Sequence, residues 1–277
     1  MKKLVLLLVL LLGIAGSVMA QQTPKKFVIG NSEIVPLQSK ITGQAHELII
    51  IYPDSYAKNP TKKFPVLYFL DAYWDVPQMV SAYGNLVYDK MTPEFIMVGL
   101  SYPDGTDYGQ ARVRDYTYTA IPQVPGSGKG EQFLDFIKKE VAPLIESTYH
   151  GDKNNRVLAG TSLGGSFTLG AALKDPEFFS GYIALSPAVV WDNNAVFAVE
   201  DEFAKQRKQL KGRMFISVGS LEPAEFRDPI VKFGKQLGSH RYKGLELQNY
   251  TMQGLAHGTV KGEGYIRGLK WFWQNKL

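Results

Sequence analysis

The stretch Arg156-Val157-Leu158-Ala159-Gly160-Thr161-Ser162-Leu163-Gly164-Gly165, followed by Ser166–Leu173, decides the fold. The apolar run before Gly160 reads as a buried strand, and the segment from Ser166 reads as a helix. Between them lies G-x-S-x-G, a pattern that sets a serine on a sharp, strained strand-to-helix turn with its Oγ exposed. The chain passes so close to itself at such a turn that a Cβ at Gly160 or Gly164 is expected to clash.

The same alternation continues on both sides of this turn. Strands are expected at His46–Tyr52, Pro65–Leu70, Phe95–Ser101, Arg156–Thr161, Gly181–Ser186, Met214–Gly219 and Leu245–Thr251. Several, such as Val66-Leu67-Tyr68-Phe69-Leu70, lack polar alternation and so suit a parallel sheet covered on both faces. Helical patterns fall between them, at about Pro77–Tyr88, Glu131–Thr148, Ser166–Leu173, Asn194–Leu210, Pro223–Leu237 and Gly264–Gln274. Alternating strands and helices give an α/β architecture, a mostly parallel, doubly wound sheet with helices on both faces. The interval Pro187–Gly212 has room for about one helix, which leaves no space for a large lid. Tyr102–Gly130 shows no clear periodicity. It follows a strand, so it is expected at the ligand-binding carboxyl edge of the sheet.

The 277 residues open with Met1-Lys2-Lys3, an apolar run to Leu12, and small residues Val18 and Ala20 before Gln21. That is the pattern of a signal peptide over residues 1–20, with a single domain over 21–277 and an exported, periplasmic or secreted, product. No membrane span is expected in the mature chain. The absence of cysteine excludes disulfides, thiolate nucleophiles and cysteine-ligated zinc. With Lys2 and Lys3 removed the formal charge is (31 − 2) − 26 = +3, too small and dispersed to point to nucleic acid. No H-E-x-x-H or carboxylate cluster at ligand spacing occurs, so neither metal nor organic cofactor is expected.

A serine nucleophile needs a base beside it. Of the four histidines, His46, His150 and His240 fall at the wrong end of the chain order or the wrong edge of the sheet. His257, after the last strand, shares an edge with Ser162. The acid belongs on the loop after the preceding strand. Glu222 sits at that strand's end, Asp228 is its rival a turn or more into the following helix, and Glu225 is third. Each could instead serve the positive end of the helix dipole. Two backbone amides are expected to bind the oxyanion: that of Leu163, after the nucleophile, and one from Asp71-Ala72-Tyr73-Trp74-Asp75, with Tyr73 preferred over Ala72.

With these residues in place, the chain resembles the esterase D-like (putative esterase) family of α/β-hydrolases. That group includes siderophore esterases, feruloyl and acetylxylan esterases, S-formylglutathione hydrolases and mycolyltransferases. The segments that carry the resemblance are His46–Pro53, Phe64–Asp71, Arg112-Val-Arg-Asp-Tyr-Thr-Tyr-Thr119, Gly160–Gly165, Val218–Glu222 and Ala256-His257-Gly258. The resemblance implies an α/β-hydrolase fold, a triad of Ser162, Glu222 and His257, and oxyanion amides on Tyr73 and Leu163. Ala72 stands where glycine is common in the family, and Phe226-Arg227-Asp228 resembles the acid placement of mycolyltransferases, so Asp228 stays open. Trp74, Arg114 and Tyr116 are the expected cleft residues. The expected substrate is a small-molecule or carbohydrate ester: an acylated carbohydrate, an aryl ester or a siderophore-type ester. Acyl transfer through the same acyl-enzyme is the second reading, and a non-catalytic binding protein on this scaffold the third.

Overall fold

A computed structural model describes residues 27–274; the expected signal segment, residues 1–20, lies outside them. One unit of the chain runs from Asn31 onward and carries every element below.

Among the described residues, eight strands form one sheet in the order β1-β2-β4-β3-β5-β6-β7-β8. They are β1 (Ser32–Gln38), β2 (Ala45–Ile51), β3 (Phe64–Phe69), β4 (Ile96–Ser101), β5 (Gly151–Thr161), β6 (Gly181–Leu185), β7 (Gln209–Gly219) and β8 (Lys243–Met252). β1 and β2 pair antiparallel with their neighbours, and all pairings from β4 to β8 are parallel. The helices are α1 (Ala72–Tyr88), α2 (Tyr108–Tyr116), α3 (Gly130–Phe136), α4 (Ala142–Thr148), α5 (Leu163–Lys174), α6 (Trp191–Gln206), α7 (Ala224–Ser239) and α8 (Val260–Trp273). A π-helical turn, Ile137–Val141, joins α3 to α4.

The pleat divides the buried residues of each strand between two faces. On β3, Val66 and Tyr68 join a core with Phe133, Phe136 and Phe167 from the helices of one face. The opposite face meets α1 and α8. A Cβ on Gly99 of β4 would lie 2.5 Å from the Ala72 Cβ, and one on Gly181 of β6 would lie 2.0 Å from the Phe272 ring. Helices on both faces explain the continuous apolar runs that mark β3, β4 and β6 in the sequence.

The doubly wound, mostly parallel sheet is as expected, and one helix, α6, occupies the interval in which no large lid was expected. Several bounds differ: β7 begins at Gln209, five residues before its expected start, and takes in Leu210, which was expected to end a helix. β1 is an additional edge strand whose side chains are largely exposed, so it lacks an apolar signal. β5 begins at Gly151, five residues before the expected start, because its first half is polar. α1 begins at Ala72, and Pro77 lies inside it. The segment Tyr102–Gly130 contains α2, capped by the Asp107 side chain, which accepts the Gln110 N–H at 3.0 Å.

Candidate active site

Ser162 leaves β5 with φ 59° and ψ −120°, a conformation that costs a non-glycine residue about 1–3 kcal/mol. Its backbone is held on both sides. Its N–H donates to Leu185 O at 3.0 Å, and its carbonyl accepts from Ser166 N at 3.0 Å and Ala188 N at 2.9 Å. A Cβ on Gly160 would lie 2.4 Å from the carbonyl carbon and oxygen of Gly164, so no side chain fits there. The second tight position is Gly165, whose Cβ would lie 3.0 Å from Leu185 O. Gly164 itself would make only a 3.3 Å contact with Leu70, a milder constraint than its place in the motif implies. Leu163 then opens α5, and the first amides of a helix have no intrahelical acceptor.

The loops after β7 and β8 bring Glu222 and His257 together. His257 Nδ1 lies 2.8 Å from Glu222 Oε2. Glu222 is buried, and its other oxygen, Oε1, accepts the Gly219 N–H at 2.8 Å and the Ser186 hydroxyl at 2.5 Å. A carboxylate at this contact accepts a hydrogen bond from Nδ1–H and so leaves Nε2, the unprotonated nitrogen of that tautomer, free to accept a proton. The His257 side chain is 45% exposed, which leaves its ring accessible from solvent, and Phe226 meets it edge-on at 4.9 Å. Ser162 Oγ and the imidazole share no hydrogen bond among the described residues. Such bonds are often long without substrate and tighten in the complex.

The other candidates are placed elsewhere. Asp228 is largely exposed and pairs with Arg227 at 2.9 Å, and Glu225 is exposed. His46 is buried, stacked on Phe136 at 4.3 Å and bonded to Thr42. His150 packs against Tyr56, and His240 Nδ1 meets Glu200 Oε1 at 2.7 Å. Glu200, Asp201 and His240 are a group whose ligand atoms could surround a cation. Glu200 Oε1 is already engaged there by His240 and by the Tyr242 hydroxyl.

Across Ser162, the loop after β3 turns at Asp71, whose φ of 56° is left-handed, and enters α1. Trp74 and Asp75 donate to Asp71 O at 2.9 and 3.1 Å, so Ala72 and Tyr73 supply the first amides of α1. Arg112 of α2 grips the Asp71 carboxylate through Nε at 2.5 Å and Nη2 at 3.0 Å, a bidentate pair. Tyr116, expected as a cleft residue, is buried behind this turn, where its hydroxyl accepts the Asp71 N–H at 3.3 Å. It also borders a narrow apolar crevice with Thr119, Leu163, Val189 and Trp191. Arg114 points instead to Asp115, at 2.7 Å, and to Gln44. Two residues along a helix turn the side chain through about 200°, so Arg112 and Arg114 face opposite ways. Trp74 is half-exposed, with the Arg112 and Lys261 cations 5.3 and 5.7 Å from its ring. Tyr73, also exposed, stacks on Tyr108 at 4.7 Å.

Sequence reasoning passed over four residues of this neighbourhood: Arg112 as distinct from Arg114, Ser186, Lys261 and Tyr265. Arg112 becomes visible once Asp107 and Gln110 are read as a helix start. The other three act through contacts distant in sequence that no local pattern encodes.

Comparison with known proteins bears on the family and the fold. The family described as "Putative esterase" matches residues 39–241. The ferri-bacillibactin esterase BesA of Bacillus subtilis is 27% identical over 215 residues, covering 72% of this chain and 74% of that one. The siderophore triacetylfusarinine C esterase of Aspergillus fumigatus is 25% identical over 220 residues, 75% of each chain. Among solved structures, the BES protein from Bacillus cereus superimposes with a TM-score of 0.81 at 25% identity, over 90% of this chain and 98% of that one. The siderophore hydrolase EstB from Aspergillus nidulans shares the fold, with a TM-score of 0.76 at 23% identity, over 90% and 97% of the two chains. Among the described residues no helix is long and apolar enough to cross a membrane. A serine elbow at the centre of a parallel sheet, matched over most of the chain to ester-cleaving relatives, places this protein in the putative esterase family of ester hydrolases with an α/β-hydrolase fold.

Proposed function

We propose that the chain is an exported serine esterase that cleaves small-molecule esters bearing aromatic groups, siderophore-type and feruloyl esters among them. Ser162 Oγ attacks the acyl carbonyl as His257 Nε2 takes its proton, and Glu222 holds the imidazole and stabilises its charge. The amides of Leu163 and Tyr73, each at the start of a helix, receive the oxyanion of the tetrahedral intermediate. The intermediate collapses, His257 returns the proton to the leaving alcohol, and the acyl group stays on Ser162. Water, deprotonated by His257, then releases the acid.

The observation that carries this reading is the 2.8 Å contact of His257 Nδ1 with buried Glu222, at the sheet edge where the Ser162 turn lies. An aromatic group in the substrate is supported by the exposed rings of Tyr73 and Trp74 beside the candidate oxyanion amides. It is supported also by relatives named as esterases of siderophores and, in Xylanibacter ruminicola, as a xylanase/feruloyl esterase. Export rests on residues 1–20 and is tested by locating the tagged protein in cell fractions.

The test of the chemistry is hydrolysis of p-nitrophenyl acetate by purified protein and by Ser162→Ala, with acetyl, feruloyl and catechol-type trilactone esters compared in parallel. Loss of at least about 10³-fold in kcat is expected for the variant. An unchanged rate overturns the serine mechanism, and a preference for acetyl over every aromatic ester overturns the substrate class.

A further inference from the structure

Asp75 is completely buried in the first turn of α1, and none of the steps above uses it. Its Oδ1 accepts from Lys261 Nζ at 2.5 Å, and its Oδ2 accepts from the Tyr265 hydroxyl. Both donors belong to α8, the helix into which the His257 loop leads, and Lys261 is four residues beyond His257. Tyr265 is also fully buried, and its hydroxyl lies 3.3 Å from the Oγ1 of Thr161, the residue before Ser162. One cluster therefore touches the nucleophile strand, the helix that presents Tyr73, and the helix that follows His257.

A carboxylate in the first turn of a helix gains from the dipole while exposed to water. Burying it costs several kcal/mol unless its oxygens are satisfied, and an apolar residue of similar size often serves stability as well. Helix capping therefore does not account for complete burial with two donors from a distant element. What ionic and hydrogen-bonded links add over apolar packing is a fixed distance and direction. The first turn of α1 is held twice in this way, by Arg112 of α2 on Asp71 and by α8 on Asp75. Burial, reinforced by the Asp75 charge, holds the Tyr265 phenol well above its ordinary pKa, so it remains a donor.

We infer that Asp75, Lys261 and Tyr265 act as positioning residues that set the separation between the oxyanion amide of Tyr73 and the imidazole of His257; this rests on the serine-esterase reading. The brace costs nothing in substrate binding and acts on the transition state, where a misplacement of about 1 Å costs about 10²-fold.

The experiment uses the full chain with Tyr265→Phe, Lys261→Met and Lys261→Arg. Readouts are kcat and KM on p-nitrophenyl acetate, thermal midpoint, and inhibition by phenylboronic acid, which forms a tetrahedral adduct on an active-site serine. For Tyr265→Phe and Lys261→Met, kcat is expected to fall about 10- to 100-fold with KM little changed. The boronate is expected to weaken by the same factor as kcat/KM, and Lys261→Arg to recover most of the loss. A lowered thermal midpoint with kcat and boronate affinity at wild-type values overturns the inference and leaves a purely structural cluster. Should Tyr265→Phe fail to fold, the two Lys261 variants, changed at a partly exposed side chain, decide the matter alone. Ser162→Ala separates the two levels: an active Ser162→Ala defeats the esterase reading itself. An inactive one beside a fully active Tyr265→Phe and Lys261→Met defeats only the brace.

Discussion

Replacing Glu222 with Gln tests the proposed chemistry at the point where the structure fixes the outcome most tightly. The side chain is nearly isosteric, so its surroundings decide how the amide sits. Around Oε1 converge two donors, the Gly219 N–H at 2.8 Å and the Ser186 hydroxyl at 2.5 Å. A backbone N–H cannot become an acceptor, so the carbonyl oxygen of the introduced amide must occupy that place and the NH2 group must face His257. Nδ1, 2.8 Å away, must then accept, and the ring proton moves to Nε2, the nitrogen that has to take the Ser162 proton. A wrong tautomer with intact geometry costs about 10⁴-fold in kcat, about 5.5 kcal/mol of barrier. KM and thermal midpoint should change little, because both buried donors keep an acceptor. Glu222→Ala leaves the tautomer free but strands the Gly219 N–H in a buried site, at about 1–3 kcal/mol of stability. The pair therefore separates two effects: the amide strikes rate and spares stability, while alanine strikes both. The assay is steady-state hydrolysis of p-nitrophenyl acetate beside urea denaturation. A Glu222→Gln enzyme within about tenfold of wild-type kcat, far short of the tautomer penalty, refutes the assignment of Glu222 to the imidazole.

Three further outcomes follow from particular contacts. Burial lowers the pKa of His46 from 6.5 to about 4, with Asp115 and Glu140 opposing and Arg114 assisting; below pH 6.5 the unfolded chain binds the proton that the native state refuses. This histidine's contribution to stability is therefore intact above pH 6.5 and declines toward pH 4, by up to about 3 kcal/mol; a urea series across that range should lose its acid slope in part in His46→Gln, and an identical slope counts against it. A Cβ at Gly219 would lie 2.3 Å from Leu255 O, in the loop that carries His257; Gly219→Ala should lower kcat by about 10²-fold through displacement of the imidazole, measured with thermal midpoint as control. Trp74→Ala removes an exposed ring; at about 0.5–1.5 kcal/mol per aromatic contact it should raise KM for feruloyl esters about 2- to 13-fold and leave p-nitrophenyl acetate unaffected, and equal effects on both esters count against a stacking role.

What the sequence revealed and what it hid divide along a physical line. Strands covered on both faces must be apolar throughout, so β3, β4 and β6 stood out, and with them the strand-to-helix turn at Ser162. β1 lies at an edge with most side chains exposed, so the apolar run that marks the covered strands is missing there. α2 is short and polar, and its signal was not an apolar stripe but the cap of Asp107 on Gln110. α1 hid its start because Asp71 enters it in a left-handed conformation, which Asp tolerates better than most residues. Pro77 then drew the expected boundary too far along. Ser162, Glu222 and His257 could be singled out because each follows a strand, β5, β7 or β8, and the parallel topology sends those ends to one edge. The Asp75–Lys261 pair spans 186 residues and follows no local rule.

Sheet order also sets how the proposed acid and base, on the loops after β7 and β8, can reach the Ser162 turn. β5 lies at the centre, with β3 on one side and β6, β7 and β8 on the other. Parallel strands sit about 4.8 Å apart, so the end of β8 is about 14 Å from the end of β5, too far for a histidine at the strand's tip to meet Ser162. The chain after β8 must therefore run back across the end of β7. It does so under close restraint: Leu221 N–H donates to Leu255 O at 2.9 Å, Ser220 N–H to Met252 O at 2.9 Å, and Gly254 N–H to the Ser220 hydroxyl at 2.9 Å. Gly219 leaves the room that this crossing needs. The loop that carries Glu222 is thus also the surface on which the His257 loop rests. Glu222 and His257 are placed by the same few hydrogen bonds, and any change that lifts one loop from the other breaks the 2.8 Å contact between them.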